Sequence, residues 1–153
     1  MKIEEIEVPS FEKIIRAAWE ADESLVNEWH IKAGEGLESC VKDTLDVLSN
    51  DVDKTTFHLY AVKDGDKEIG FFGKELVDEK PFLTTFYIYP DYRTKDCKEE
   101  FLKLIFSELG DEFVTAVYAK NTRALNWFIR NGADFLGEVN NENGSIVLMK
   151  LKL

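Results

Sequence analysis

The sequence has few of the residues on which metal sites, disulfide frameworks and membrane spans depend. Its 153 residues include two cysteines, three prolines and two histidines. Cys40 and Cys97 lie far apart and in no CxxC pair, so we expect no zinc site, no other bound metal and no disulfide framework. No apolar run approaches the roughly 20 residues of a membrane span, and the opening MKIEEIEVPS has no apolar signal region. We therefore expect a cytoplasmic protein with no membrane partner.

Basic residues are also scarce. Lysine and arginine total 19 against 30 acidic residues, which gives a net charge of −11. A field of that sign repels the phosphate backbone of nucleic acids and anionic lipid head groups. We therefore expect no nucleic-acid partner, although an acidic surface is also an ordinary means of staying soluble.

The apolar content is sufficient for one packed core. Hydrophobic residues make up 44% of the chain, and no linker, repeat or low-complexity segment divides it, so residues 1–153 are predicted to form a single domain. Periodicity predicts the element order β-α-α-β-β-β-α-β-α-β-β. The predicted strands cover 2–8, 57–62, 68–77, 81–90 and 113–119, with two more flanking Asn143-Gly144, and the predicted helices begin at Ser10, after Gly36, near Cys97 and after Asn121.

Three stretches carry a resemblance to a known family. IYPDYR is a strand followed by Pro-Asp-Tyr-Arg, NTRALNWFIRNGADF is a helix that begins at Asn121, and EIGFFG has Gly70 on the preceding strand. In this order and spacing they resemble the GNAT superfamily of acetyl-CoA-dependent N-acetyltransferases, over nearly the whole chain. The resemblance implies an α/β (α+β) fold with a mixed, mostly antiparallel sheet, a central splayed pair of parallel strands, and helices on both faces.

The resemblance also implies a cofactor site. GNAT proteins bind acetyl-CoA where the two parallel strands separate, here 86–88 and 114–119. The pantetheine arm pairs with the first strand, and the pyrophosphate lies on the amides at the start of the next helix. The cofactor-binding residues implied for this chain are Tyr87, Ile88, Arg93, Thr94, Lys95, Asp96, Cys97, Lys98 and Asn121.

The phosphate loop departs from the family pattern. Asp96 and Lys98 occupy the positions of small residues, usually glycine, which let the backbone approach phosphate oxygens. One interpretation makes Asp96 the helix N-cap, with Glu99 completing a capping box and the carboxylate replacing the pyrophosphate. The other makes Arg93, Lys95 and Lys98 a basic collar that still captures phosphate. On the first interpretation the protein has no cofactor, and on the second it binds acetyl-CoA.

The catalytic positions also depart from the family. GNAT enzymes commonly use a strand glutamate and a helix tyrosine, and the matching positions hold Thr84 or Thr85 and Phe128, none of which can transfer a proton in the required way. Cys97 is expected to be a buried, inert thiol. The catalytic residues are therefore unknown. The remaining candidates for proton transfer are Glu75, Tyr118, Tyr89 and His58.

Three functions remain open at this point. The first is a binding or assembly module with an eroded acetyl-CoA site, since the chain also resembles divergent GNAT-like proteins of tailed bacteriophages and could lie within a phage particle. The second is a divergent acetyl-CoA-dependent N-acetyltransferase that acts on a cationic amine acceptor drawn by the acidic surface. The third is a protein that self-associates, or binds protein partners, through its aromatic strands and C-terminal hairpin. Whether the protein is an enzyme is left open by the residues alone.

Overall fold

A computed structural model describes residues 1–7, 10–14, 16, 38, 41–42, 57–141 and 144–153. Within these ranges the order of elements is the predicted one, and the first two predicted helices lie mostly outside them. Cys40 lies outside the described residues. The strands are β1 (Lys2–Ile6), β2 (Phe57–Asp64), β3 (Lys67–Val77), β4 (Lys80–Ile88), β5 (Glu112–Tyr118), β6 (Asp134–Asn141) and β7 (Gly144–Lys152). Helix α1 covers Lys95–Leu109, helix α2 covers Thr122–Arg130, and a 3-10 turn at Pro90–Tyr92 precedes α1.

The seven strands form one mixed sheet. Their order is β1-β2-β3-β4-β5-β7-β6, and every neighbouring pair is antiparallel except β4 and β5, which are parallel. The parallel pair lies in the middle of the sheet and the connecting chain between its strands contains α1, as a parallel crossover requires. The predicted sheet with a central parallel pair is therefore confirmed.

Helices α1 and α2 cover one face of this sheet. Phe101, Ile105 and Leu109 recur at helical spacing along α1 and are buried, as predicted, and Phe106 joins them. They pack with Phe72, Phe113 and other strand residues in the main apolar cluster. Gly110 ends α1 with φ of 105°, a backbone conformation that favours glycine.

The other face is also covered. Phe11, in the helical residues 11–14, is fully buried, and its ring meets the ring of Phe71 edge-on at 5.1 Å. Phe71 in turn stacks on Tyr87 of β4, with 5.5 Å between ring centroids. Because Phe71 and Phe72 point to opposite faces of β3, Phe11 lies on the face away from α1 and α2. Helical residues therefore cover both faces, as the resemblance implied.

Gly70 allows β3 and β4 to approach at the point where the cofactor strand ends. A Cβ atom at Gly70 would lie 2.2 Å from the backbone oxygen of Tyr87 and 3.0 Å from the ring of Phe101. A backbone oxygen held in a central sheet cannot move away cheaply. Gly70 is therefore required for the packing of β4 between β3 and α1.

We predict that Gly70→Ala lowers the free energy of unfolding by about 2 kcal/mol or more, because overpacking at a rigid site has that cost. Chemical denaturation measures the change. Gly137→Ala is the matched control, since Gly137 also lies in a strand but a Cβ there meets nothing within 4 Å. Equal effects of the two substitutions would contradict this account of Gly70.

Candidate functional site

Strands β4 and β5 separate toward their carboxyl ends. They pair only at Phe82 with Val114 and at Leu83 with Thr115. The hydroxyl of Thr115 is buried and donates to the carbonyl oxygen of Leu83 at 3.0 Å, which closes the last paired position. Beyond it β4 continues along β3, and β5 continues along β7. The splay predicted for 86–88 and 114–119 is thus present, and the pairing that precedes it is short.

A bulge in β4 accompanies the separation. Phe71 lies opposite Tyr87 and Gly73 opposite Thr84, so two steps along β3 correspond to three along β4. The extra residue lies between Thr84 and Tyr87, and such a bulge bends and twists its strand. The end of β4 is therefore turned away from β5 immediately after the two strands stop pairing.

The bulge leaves backbone groups of β4 directed into the gap. The amide of Tyr89 donates to the carbonyl oxygen of Ile69 at 2.9 Å, so residue 89 faces β3. Successive residues of a strand direct their backbone groups to opposite sides. The amide and carbonyl of Ile88 therefore point into the gap between β4 and β5.

A cavity lies over this gap, between the first turns of α1 and α2. It encloses about 420 Å³ of empty space, part of which is open to solvent. The lining residues are Phe86, Tyr87, Ile88, Arg93, Lys98, Asn121, Arg123, Ala124 and Trp127.

The lining is basic in an acidic protein. Among the described residues its charged members are Arg93, Lys98 and Arg123, and none of its lining residues is a carboxylate, although the whole chain has a net charge of −11. Three cations near the start of a 15-residue helix favour an anionic ligand, because the helix N-terminus adds a positive field of its own. This arrangement is suited to phosphate groups.

Arg93 is folded back onto β4. Its Nε donates to the carbonyl oxygen of Ile88 at 2.8 Å, and its guanidinium carbon lies 5.2 Å from the centroid of the Tyr87 ring. The turn at Pro90–Tyr92 makes this possible by reversing the chain just after the strand ends. Arg93 therefore contacts two of the predicted cofactor residues and borders the cavity together with them.

The predicted capping box at the start of α1 is wrong. Thr94 is the N-cap, and its hydroxyl oxygen accepts from the amide of Cys97 at 3.3 Å. Asp96 instead lies inside the first turn and is exposed. Threonine, like aspartate, can accept from a first-turn amide at the N-cap, and the helix starts two residues earlier than the sequence suggested. The carboxylate of Asp96 therefore does not cap the helix.

The other residues of the loop differ in whether they line the cavity. Thr94, Lys95, Asp96 and Cys97 are not among the lining residues, whereas Lys98 is. Cys97 is half-buried against the core, and burial, followed by the nearby carboxylate of Glu100, raises the pKa of its thiol. A raised thiol pKa fits the expectation of an inert cysteine.

At the positions where GNAT enzymes commonly have a catalytic tyrosine and glutamate, the described side chains are buried. Phe128 is 1% exposed and packs against Phe86 at 5.7 Å between ring centroids. The hydroxyl of Thr84 is buried without a hydrogen-bond partner among the described residues, and a Cβ at Gly73 would lie 2.5 Å from it. The side chain of Thr85 lies outside what the structure describes. Phe128 has no group that can exchange a proton at this site.

The four candidates for proton transfer do not line the cavity. The Tyr89 hydroxyl donates to Glu68 at 2.8 Å, and burial, together with that carboxylate, raises its pKa. His58 lies 2.6 Å from a carboxylate oxygen of Glu5 in β1. Tyr118 is 5% exposed under the amine of Lys120, 5.5 Å from its ring centroid. Glu75 is opposite Phe82, about 20 Å along β4 from Ile88.

Three lining residues were not assigned a role at the site from the sequence, namely Arg123, Ala124 and Trp127, whereas Phe86 begins the segment 86–88 predicted to pair with pantetheine. Phe86 and Trp127 stack almost parallel, with 4.9 Å between centroids and 4° between planes, and form the inner wall. Arg123 and Ala124 follow Asn121 in the Asn-Thr-Arg-Ala stretch. The sequence does place Arg123 in the first turn of α2, just after the cap Asn121. Because the first turns of both helices meet at one edge of the sheet, that position could have indicated that Arg123 reaches the cavity.

Asn121 has the structural role that was expected. Its side-chain oxygen accepts from the amide of Ala124 at 3.2 Å and caps α2. It also lines the cavity. The cap fixes the first turn of α2, and with it Arg123, against the end of β5.

The C-terminal hairpin presents apolar side chains at the edge of the sheet. Phe135, Leu136 and Val139 of edge strand β6 are each more than half exposed, as is Ile129 of α2. Partners at this surface stay a prediction. Among the described residues no helix is long and apolar enough to cross a membrane, and no three potential metal ligands cluster.

We predict that Thr94→Ala lowers the free energy of unfolding by about 1 kcal/mol, the usual cost of losing an N-cap. Thr94→Ser retains the acceptor and should cost much less. Asp96→Ala removes only a favourable charge near the helix N-terminus and should cost about 0.3–1 kcal/mol. Denaturant titration of the three variants ranks them, and a larger loss in Asp96→Ala than in Thr94→Ala would restore the aspartate as cap.

Comparison with known proteins identifies the fold. No family model matches the chain, and a search of curated proteins gives no match. Among solved structures, an acetyltransferase from Thermus thermophilus is similar with a TM-score of 0.72 and 15% identity, over 100% of this chain and 98% of that one.

Two further structures are similar to the same extent. An acetyltransferase from Salmonella typhimurium that modifies the N-terminal serine of a ribosomal protein has a TM-score of 0.68 and 9% identity, over 99% of this chain and 94% of that one. An aminoglycoside acetyltransferase in complex with coenzyme A and kanamycin has a TM-score of 0.70 and 13% identity, over 99% and 94%. The chain therefore has the fold of the GNAT acetyltransferases, as its sequence motifs implied.

Proposed function

We propose that this protein binds coenzyme A or acetyl-CoA in the cavity between α1 and α2 and acts as a weakly catalytic or non-catalytic binding module. The observation that carries the proposal is the basic lining of that cavity, formed by Arg93, Lys98 and Arg123 at the splay of β4 and β5. In a chain of net charge −11 these cations would otherwise be expected to scatter among acidic neighbours. Their grouping favours a ligand with several phosphates.

The start of α1 supports retained binding of the cofactor. The argument for a retired site depended on Asp96 capping the helix, and Thr94 has that role instead. Asp96 is exposed to solvent, where its repulsion of a phosphate is screened. One of the two reasons to expect a retired site, a capping carboxylate, is therefore removed, while the loss of the small residues still applies.

The same lining supports weak chemistry. Acyl transfer forms a bond between the amine nitrogen and the thioester carbon, breaks the carbon–sulfur bond, and releases a proton from the attacking nitrogen to a base. The nine described residues that line the cavity include no aspartate, glutamate or histidine. If the proton passes to water or buffer because none of these nine residues accepts it, the typical 10²- to 10⁴-fold contribution of a positioned base is lost.

We predict that coenzyme A binds with a dissociation constant in the micromolar range, measured by isothermal titration calorimetry. Lys98→Ala and Arg123→Ala should each weaken binding about five- to tenfold, because each removes a charge-assisted contact to phosphate. Lys103→Ala is the matched control, since Lys103 is an exposed lysine of α1 outside the cavity lining.

Two results would contradict the proposal. One is the absence of heat at millimolar coenzyme A from protein shown to be folded. The other is equal weakening in all three variants, which would indicate a general charge effect in place of a defined cavity. A matching rise of the melting temperature with ligand concentration distinguishes specific binding from aggregation.

A second candidate function is acetyl transfer to a cationic amine. The net charge of −11 favours it, because an acidic surface attracts a polycationic acceptor. One structural neighbour was solved with kanamycin, a polyamine. Catalysis here would depend on positioning alone, with the acceptor supplying a neutral amine and solvent accepting its proton.

This candidate predicts a distinctive pH profile. If no protein base acts, the rate with a polyamine acceptor should rise about tenfold for each pH unit from 6.5 to 9, because the neutral fraction of an amine with a pKa of about 10.4 rises in that proportion. Release of free thiol measures the rate. A plateau between pH 6 and 8 would contradict the absence of a base, and a rate equal to that without protein would exclude the transferase.

The assignment of this protein to a phage particle and its binding of protein partners stay predictions. The exposed apolar residues of β6 are compatible with self-association, since an edge strand can pair with another chain. A sedimentation measurement at high protein concentration tests this, and a strictly monomeric mass would count against it.

A further inference from the structure

The edge of β4 that faces the gap already accepts a hydrogen bond from a side chain of the protein itself. The carbonyl of Ile88 points into the space between β4 and β5, where no neighbouring strand reaches it. Arg93 Nε donates to this oxygen at 2.8 Å. The hydrogen bond joins the end of β4 to the residue that follows the turn at Pro90–Tyr92, so the chain closes its own strand end.

A second contact holds the arginine in this position. The guanidinium carbon lies 5.2 Å from the centroid of the Tyr87 ring, and Tyr87 is 2% exposed, packed against Phe71. A cation over a buried aromatic ring is attracted to it. Arg93 thus lies between a rigid ring and a backbone acceptor, and both partners line the cavity.

An amide-bearing ligand that lies in the gap competes with this arrangement. An extended chain adds to a free strand edge through main-chain hydrogen bonds, and the carbonyl of Ile88 is the acceptor that the edge offers. Pantetheine contains two amides and no charge. To donate to Ile88 from the side of the gap it competes with Arg93 Nε, which already lies 2.8 Å from that oxygen, and it offers the guanidinium no anion in return.

A phosphate has the opposite effect on the same side chain. Guanidinium binds phosphate oxygens in charge-assisted pairs that are stronger than a bond to a neutral carbonyl. Lys98 and Arg123 line the same cavity, so a phosphate near them lies within the region that Arg93 borders. A bound phosphate therefore draws Arg93 away from Ile88 and frees the strand edge.

We propose that Arg93 is a specificity-determining latch: it closes the β4 edge when no phosphate is bound and opens it when the ligand carries one. The site then admits an amide arm only as part of a phosphorylated ligand, such as coenzyme A, and disfavours free pantetheine. This inference depends on the proposed function for the ligand class, but the latch itself is a property of residues 87, 88 and 93.

The test measures the binding of the two parts of coenzyme A separately. Calorimetric titration with pantetheine alone and with adenosine 3′,5′-bisphosphate alone is performed on the parent protein, Arg93→Ala and Lys98→Ala. Arg93→Ala should tighten pantetheine binding about three- to tenfold, the size of one hydrogen bond no longer in competition. The same variant should weaken the bisphosphate. Lys98→Ala is the matched comparison, since it removes a cation but no bond to Ile88, and it should weaken the bisphosphate without tightening pantetheine.

Unchanged or weaker binding of pantetheine to Arg93→Ala overturns the latch, including the case in which neither protein binds it. If coenzyme A binds the parent protein in that case, the proposed function stands without the latch. If coenzyme A does not bind the parent but Arg93→Ala gains pantetheine, the latch stands and the proposed function fails. The two claims can thus fail separately.

A measurement on the parent protein tests the latch even where the Arg93→Ala variant does not fold. In nitrogen-15-labelled protein, the Arg93 Nε–H should exchange slowly with water while it is bonded to Ile88. Adenosine 3′,5′-bisphosphate should shift this resonance by changing its acceptor, and pantetheine should shift it only at the higher concentrations at which it competes with Arg93 for Ile88. Rapid exchange in the ligand-free protein, or an unchanged resonance on saturation with the bisphosphate, would overturn the latch.

Discussion

The bulge in β4 is the constraint on which the site depends. Opposite Phe72, the strand contains one residue more than its partner β3, and β4 leaves β5 just after the pairing of Leu83 with Thr115. A parallel pair that continued would satisfy its own backbone groups and leave no cavity. The bulge instead opens a gap in the middle of the sheet. Gly70 fixes where the bent strand lies, because only a residue without Cβ tolerates the carbonyl of Tyr87 so close.

The two helices that cover this gap contribute through their first turns. Thr94 caps α1 and Asn121 caps α2, and these caps orient the amides and side chains that follow them. Lys98 and Arg123 reach the cavity from the two sides, while Arg93 reaches it from the strand end. The grouping of positive charge is thus a result of where helices begin, and it persists although the surface as a whole is acidic. Among the described residues the helix caps and the cations are present, while the cavity lining includes no carboxylate or imidazole.

The places where sequence reasoning failed have a common cause. Asp96 was taken for a cap because aspartate three residues before glutamate is a frequent helix start, yet Thr94 was equally able to accept the first amide. His58 and Glu75, in contrast, stay predictions as candidates for proton transfer, and neither is among the residues that line the cavity. The turn after β3 contains Asp78 and Glu79, both at positive φ, although neither is glycine. A local sequence pattern indicates which residue types can cap a helix or transfer a proton. It does not determine which of two suitable residues makes the contact in the folded protein.

The sequence by itself determined the order of elements, the mixed sheet with a parallel pair at its centre, the apolar face of α1 and the family whose fold this is. These follow from periodicity and from short motifs, which are local properties of the chain. Only the tertiary structure decided that Phe86 and Trp127 form the inner wall, that Arg123 joins Arg93 and Lys98, and that Arg93 bonds to the end of β4. The physical reason is that these contacts join side chains from separate elements, and their geometry depends on the bend of β4, which no spacing in the sequence specifies.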